Sequence, residues 1–334
     1  MNKIKTAVIG GGKMGSIHAR VYSTLDTAEL LAIVDTDKQR AEKLAAEYNC
    51  KALSGYEELI GSVDAVTIST PTQAHYEVAK TFITAGIAVM IEKPLAASIQ
   101  QGQEIVDLAG KHNVVVAVGH SERCNPVVQA VKRLNIEPKF IEAHRISPYP
   151  FRSTDIGVVM DVMIHDIDII LSLAGGKVKS VDAAAINVIA DNEDICNVRI
   201  AFDNGCVANI TASRLALKTE RKVRLFSRQA YLSLDYFKKE GIVIKAAPNV
   251  DVVNWIRQQQ QNERFDFANV NWPDMLHIEQ LDIEDGEPLR LEQQAFLKAV
   301  ADKDSQPEVT AEDALAAMQC AEMILESARD HKWD

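Results

Sequence analysis

The sequence has no hydrophobic run long enough to cross a bilayer, and its apolar start, MNKIKTAVIGGG, passes directly into a folded pattern. No small-residue cleavage site follows a signal-like segment, so the chain is expected in the cytoplasm, with no membrane partner. Cation is scarce relative to anion: 36 Lys and Arg stand against 47 Asp and Glu, for a net charge of −11. That deficit argues against a general nucleic-acid or acidic-membrane surface, and leaves room only for local basic pockets. Five scattered cysteines form no CxxC pair, which fits reduced thiols and argues against a cysteine-based metal site. Low-complexity sequence is limited to the Gln258–Gln261 run, and internal repeats are absent.

What remains is an ordinary globular composition over 334 residues, more than one core usually supports. Two domains are expected, 1–120 and 121–334, with the C-terminal helices able to pack back on the first. In the first, short apolar runs (Lys5–Ile9, Glu29–Asp35, Asp64–Thr70, Ile87–Glu92 and Val114–Gly119) alternate with helical patterns. The helices expected are Met14–Leu25, Asp37–Tyr48, Tyr56–Gly61, Gln73–Ala85 and Ile99–His112, the last opened by a Ser98–Gln101 capping box. Such alternation builds an α/β fold, a doubly wound parallel sheet of the Rossmann kind.

Beyond residue 120 the pattern changes to an α+β domain with an open, mostly antiparallel sheet. One helix, Ile156–Ala174, stops at Gly175-Gly176. Strand patterns follow at Ser180–Val188, Ile195–Asp203, Cys206–Ser213, Lys222–Ser227, Ala230–Tyr236 and Gly241–Lys245, with Lys139–Ser147 as a further strand. Asp203-Asn204-Gly205 is a hairpin turn, because Asn-Gly accepts positive φ. Residues 246–287 show no clear pattern, and helices Leu291–Asp302 and Ala311–Lys332 close the chain.

Gly10, Gly12 and Gly15 satisfy GxGxxG between a strand and a helix, the context in which the motif binds a dinucleotide. Gly10 allows the tight turn, Gly12 the approach of a pyrophosphate, and Gly15 close helix–strand packing. The N–H groups of the helix start, at Lys13 and Met14, face the phosphates. Asp35, ending the second strand, accepts both ribose hydroxyls and repels a 2′-phosphate, and Thr36 and Asp37 add no cation. The cofactor expected is NAD.

Ser69-Thr70-Pro71, His75 and Glu92-Lys93-Pro94 follow the third and fourth strands, at the strand ends where open α/β sheets bind ligands. In Ile156–Ala174, Asp161, His165, Asp168 and Ser172 share one face of an otherwise apolar helix, so this stripe is expected to face a cavity or a polar partner. Histidine titrates near neutrality and suits removal of a hydroxyl proton. Asp161 either holds that imidazole or binds a substrate hydroxyl, and Lys93 either polarises the oxygen or acts as the base. A cation shared by Asp161 and His165 is a third reading, but no further ligand motif accompanies them, and no metal is expected.

The combination of GxGxxG, Pro71-x-x-x-His75, Glu92-Lys93-Pro94 and Asp161-x-x-x-His165 resembles the Gfo/Idh/MocA oxidoreductases, over nearly the whole chain. The resemblance implies an NAD-dependent dehydrogenase with a Rossmann domain and an open-sheet domain that makes homo-oligomer contacts. It also implies a Lys93 that touches substrate and nicotinamide ribose, followed by a commonly cis Lys–Pro peptide. Met163 stands where a glycine is usual in that family, and the glycine run before the Asp is missing. Gly119-His120-Ser121-Glu122-Arg123-Cys124-Asn125-Pro126 and His165-Asp166-Ile167-Asp168-Ile169 look more like the family's UDP-N-acetylglucosamine 3-dehydrogenase branch. That likeness implies oxidation at C3 of a UDP-N-acetylhexosamine, with an inositol or free sugar as the alternative and a non-catalytic NAD sensor as the alternative of another class. A UDP-sugar requires local cations, for which Arg123, Arg145 and Arg152 are candidates, with Asn125 as a sugar or carboxamide ligand.

Overall fold

In a computed structural model, residues 3–149, 156–246, 252–260 and 275–329 are described. The chain divides into two compact units. The first comprises Met1–Asn125, Ile167–Ile169 and Asp285–Met323, and the second Pro126–Asp166, Ile170–Glu284 and Ile324–Asp334.

The first unit carries β1 (Ile4–Ile9), α1 (Lys13–Ser23), β2 (Ala28–Val34), α2 (Lys38–Tyr48), β3 (Lys51–Leu53) and β4 (Ala65–Ile68). α3 (His75–Thr84), β5 (Ala88–Glu92), α4 (Ile99–His112) and β6 (Val116–Gly119) follow. The six strands are all parallel, in the order β3-β2-β1-β4-β5-β6. β4 and β5 are buried along their whole length, which is why they read as continuous apolar runs rather than alternating ones. The order reverses between β1 and β4, and the crevice beside such a reversal is where doubly wound sheets take ligands. β3 is too short to leave a pattern, and Tyr56–Gly61 contains only a single 3₁₀ turn, Glu57–Leu59, in place of the expected helix.

The second unit opens with α5 (Pro126–Arg133) and β7 (Pro138–Ile146), continues into α6 (Ile164–Ala174, apart from Ile167–Ile169, which belong to the first unit), then forms β8 (Val178–Ile186), β9 (Ile195–Phe202), β10 (Val207–Ser213), β11 (Glu220–Ser227), β12 (Tyr231–Asp235) and β13 (Glu240–Ala246). α7 (Val252–Gln260) and β14 (Leu276–Gln280) complete it, inside the region where no pattern was legible. Eight strands pair as β14-β13-β12-β11-β7-β10-β9-β8, antiparallel except for β7 with β10. Buried and accessible residues alternate along β9 and β10, the signature of a sheet with one covered face. The β9–β10 turn falls at Asp203-Asn204-Gly205, with Gly205 at φ +81°. α5 escaped the sequence reading: at eight residues it is too short to leave a helical period, although most of it is apolar and buried.

Two helices finish the chain, α8 (Pro288–Ala301) and α9 (Ala311–Ala328). Leu289, Phe296 and Leu297 of α8 share one buried cluster with Val8, Tyr22, Ile33 and Met90. No helix among the described residues is long and apolar enough to cross a membrane.

Candidate active site

The turn between β1 and α1 shows why its glycines are glycines. Gly10 has φ +96°, and a Cβ there would stand 2.6 Å from the Ser69 carbonyl oxygen. A Cβ at Gly15 would stand 1.7 Å from the Gly10 carbonyl oxygen, so the helix packs against the turn backbone itself. A Cβ at Gly12 would meet nothing within 4 Å. Gly12 is also the N-cap of α1 and no side chain caps that helix start, where Lys13 and Met14 are exposed. An open approach over uncapped N–H groups fits a pyrophosphate.

Asp35 is buried and oriented by its own neighbours. Oδ2 accepts the Gly11 N–H at 2.7 Å and Oδ1 the Asp37 N–H at 2.8 Å. Arg40, exposed on the first turn of α2, reaches Asp35 Oδ2 at 3.2 Å. The sequence reading looked for a cation only as far as Asp37 and missed Arg40, which the helix brings back over the carboxylate. The residues present fit an NAD molecule: a glycine cradle, an uncapped helix start and a carboxylate at the end of β2.

Ser69 Oγ donates to the Gly10 carbonyl at 2.8 Å, tying the β4 turn to the glycine turn. Thr70 Oγ1 is buried with no hydrogen-bond partner among the described residues, and Pro71 is exposed. His75, expected at the cofactor, lies between two backbone carbonyls, with Nε2 3.0 Å from Thr70 O and Nδ1 2.9 Å from Pro94 O. It therefore staples the β4 turn to the β5 turn. Burial pushes its pKa down, against the pull of both carbonyls. The Lys93–Pro94 peptide is cis, and Lys93 is half-buried. Glu92 is buried; its Oε1 lies 2.8 Å from His18 Nε2, and its Oε2 accepts the Lys93 N–H at 3.2 Å. Burial works against ionisation of Glu92, but the His18 bond and the Lys93 N–H and charge outweigh it and leave the carboxyl below its ordinary value.

The expected regular helix Ile156–Ala174 is not regular. Glu193 accepts the Val158 N–H through its carbonyl and the Val159 N–H through its carboxylate, and Val159–Met163 then form a wide π turn ahead of α6. Gly175, at φ +66°, ends α6 as expected. The wide turn changes the phase of the polar stripe. Asp161 and His165 are half-buried, while Asp168 is fully buried and meets a polar partner rather than a cavity, one of the two settings expected for the stripe. In the first unit Asp168 holds Arg123, which also reaches Asp313 at 3.2 Å. In the second unit Asp166, the residue off the stripe, holds Arg145 through two bonds of 2.8 Å.

Arg123 and Arg145 were expected to stand open for a diphosphate; both are instead buried and committed to carboxylates. A guanidinium taken out of water requires such a partner, and the i, i+2 pair Asp166 and Asp168 supplies one to each. Arg152 lies outside the described residues. Asn125 is buried after a short turn, Ser121–Cys124, and caps it through its backbone N–H to the Glu122 carbonyl. No group of three or more metal-ligating side chains occurs among the described residues.

A six-stranded parallel sheet with this strand order, a glycine cradle and a strand-end carboxylate define a dinucleotide-binding oxidoreductase with a second, open-sheet unit. Residues 4–120 match the model of the oxidoreductase family with an NAD-binding Rossmann fold, and residues 138–233 match the Gfo/Idh/MocA C-terminal domain. The chain belongs to the Gfo/Idh/MocA oxidoreductase family. It is 35% identical over 237 residues to the UDP-N-acetylglucosamine 3-dehydrogenase of Acidithiobacillus ferrooxidans, covering 71% of this chain and 75% of the relative. The inositol 2-dehydrogenase of Rhizobium meliloti is 27% identical, covering 64% and 69%. The solved structure of the Acidithiobacillus ferrooxidans enzyme matches with a TM-score of 0.87 at 28% identity, over 99% of both chains.

Proposed function

We propose that this oxidoreductase uses NAD to oxidise a secondary hydroxyl of a sugar nucleotide, at C3 of a UDP-N-acetylhexosamine. The observation that carries the reading is the 35% identity to a UDP-N-acetylglucosamine 3-dehydrogenase across 71% of the chain. Bound NAD supplies the hydride acceptor. Gly10, Gly12, Gly15, Asp35 and the helix start at Lys13 and Met14 bind and orient it; Ser69, Thr70 and Pro71 line the neighbouring turn. Lys93 holds the substrate oxygen, and its positive charge stabilises the negative charge that develops on that oxygen as its proton is removed, before the hydride passes to the cofactor. His165 takes the hydroxyl proton, and Asp161 orients the imidazole.

Purified protein with NAD and UDP-N-acetylglucosamine is expected to form NADH, read by its near-ultraviolet absorbance, or a 3-keto product if NADH stays bound. Turnover of inositol or a free sugar alone would replace the substrate. Tight NAD binding with no turnover on any of them would leave a sensor. Lys93→Met and His165→Ala should each lower kcat by roughly a hundredfold or more while NAD affinity stays near wild type. Retained turnover in both variants would remove these roles.

A further inference from the structure

The β5 turn rests on polar residues that the reaction as outlined does not use. His18 of α1 and Gln293 of α8 are both fully buried in the first unit, and neither stands out in the sequence. We propose that they form a clamp that positions Lys93, with Gln293 orienting His18, His18 holding the Glu92 carboxylate, and Glu92 holding the backbone of the Lys93 turn. The inference rests on the catalytic reading of Lys93 given above.

The direction of each bond follows from what each atom can do. Gln293 Nε2 lies 2.8 Å from His18 Nδ1 and 3.3 Å from the His18 carbonyl oxygen. An amide nitrogen only donates, and its second contact is to a carbonyl, which fixes the amide orientation. Nδ1 therefore accepts, and the ring proton sits on Nε2, pointing at Glu92 Oε1 2.8 Å away. The second carboxylate oxygen ends the series on the N–H of Lys93 itself. A carboxylate as buried as Glu92 keeps its charge only while such donors hold it.

Among the described residues of the first unit, the charged and titratable groups that face Glu92 include Glu292, His120, Asp168, Arg123 and Lys93, while the hydrogen bond on Glu92 Oε1 comes from His18. The Glu292 carboxyl faces it from α8, and both of its oxygens lack a hydrogen-bond partner among the described residues. His120 is buried nearby, and Asp168 and Arg123 are paired with each other. Lys93 contributes its own charge to Glu92. Loss of the His18 donor leaves a buried carboxylate that takes up a proton, so the Lys93 N–H loses a charged acceptor and its ammonium loses a neighbouring anion.

The test reads Lys93 with and without substrate. Acetic anhydride labelling of Lys93 in the full-length protein at fixed pH, located by mass spectrometry, needs no turnover. His18→Leu is expected to raise the labelling rate roughly threefold or more, through the lost anion. It should also lower kcat about tenfold while KM for NAD changes less than about twofold. His18→Gln, which restores a donor to Glu92, should return both readouts most of the way. Gln293→Leu keeps the His18 donor but releases the tautomer, and should show the same changes at smaller size. It also removes a buried amide oxygen that has no hydrogen-bond partner among the described residues, so it tests the clamp even if His18→Leu fails to fold. Wild-type labelling and kcat in folded Gln293→Leu, or labelling of His18→Gln as far from wild type as that of His18→Leu, would overturn the clamp. If the wild-type protein turned over no sugar, labelling would still decide the clamp, and only the functional reading would fall.

Discussion

Asp35 and Arg40 form an ion pair at the place where a ribose 2′ position would be read, and the two side chains favour opposite cofactors. The carboxylate accepts hydroxyls and repels a phosphate; the guanidinium does the reverse. With Asp35 in place the Arg40 charge is offset, and the pair is expected to favour NAD. Asp35→Ala should therefore weaken NAD binding and strengthen NADP binding, shifting the ratio of the two dissociation constants by about tenfold or more. Asp35→Ala combined with Arg40→Ala should lose the NADP gain, and isothermal titration of both variants checks it. At this scale the sequence was legible where a residue acts through its own backbone neighbourhood, as at Gly10 and Gly15. It misled where a partner lay elsewhere in the chain. Nothing in the local pattern says that Arg123 belongs to Asp168, Arg145 to Asp166, or His18 to Glu92.

Element boundaries came through best where a terminal residue supplies the missing bond. Ser98 accepts the Gln101 N–H, and α4 runs from Ile99 to His112 as its pattern predicts. The reciprocal half of that capping box is absent, since Gln101 Oε1 is buried with no hydrogen-bond partner among the described residues. The elements that were missed are those whose cause is tertiary. β3 exists as an edge strand on β2, and the π turn at Val159–Met163 follows from Glu193, thirty or so residues downstream. α8 was expected from its apolar spacing, but the burial of Glu292 on it was not. Burial, then the carboxylates of Glu92 and Asp168, push the Glu292 pKa well above the ordinary 4.5. The folded chain thus keeps this acid neutral while the unfolded chain ionises it, so stability falls as pH rises above the ordinary carboxylate value. Glu292→Gln removes that loss. Its Tm advantage over wild type should grow between about pH 4 and about pH 8, and an advantage independent of pH would contradict the neutral acid.

For the whole molecule, the two units should respond differently to acid. In the second unit Asp194 accepts the backbone N–H groups of Val188, Ile189 and Ala190, and its other oxygen accepts from Arg214 Nε at 2.7 Å. Burial opposes its ionisation, but these donors prevail and hold its pKa at about 2. Such a depressed carboxylate contributes stability above its unfolded value of 3.8, and that contribution is lost as pH falls toward about 2. Thermal melts from neutral pH downward should show the wild-type Tm falling more steeply than that of Asp194→Asn below about pH 4. Coincident slopes would assign the acid sensitivity elsewhere. The first unit carries a different constraint, set by the order in which its pieces leave the ribosome. Its cofactor-binding sheet is finished by Gly119, yet Leu289, Phe296, Leu297 and Gln293, which complete its core and its clamp, arrive only after the entire second sheet has been made. The first 125 residues therefore wait, with apolar surface uncovered, until α8 has been made. Chains stalled with residue 284 as the last emerged should be cut by protease throughout 1–125. Chains released at full length should resist over the same span.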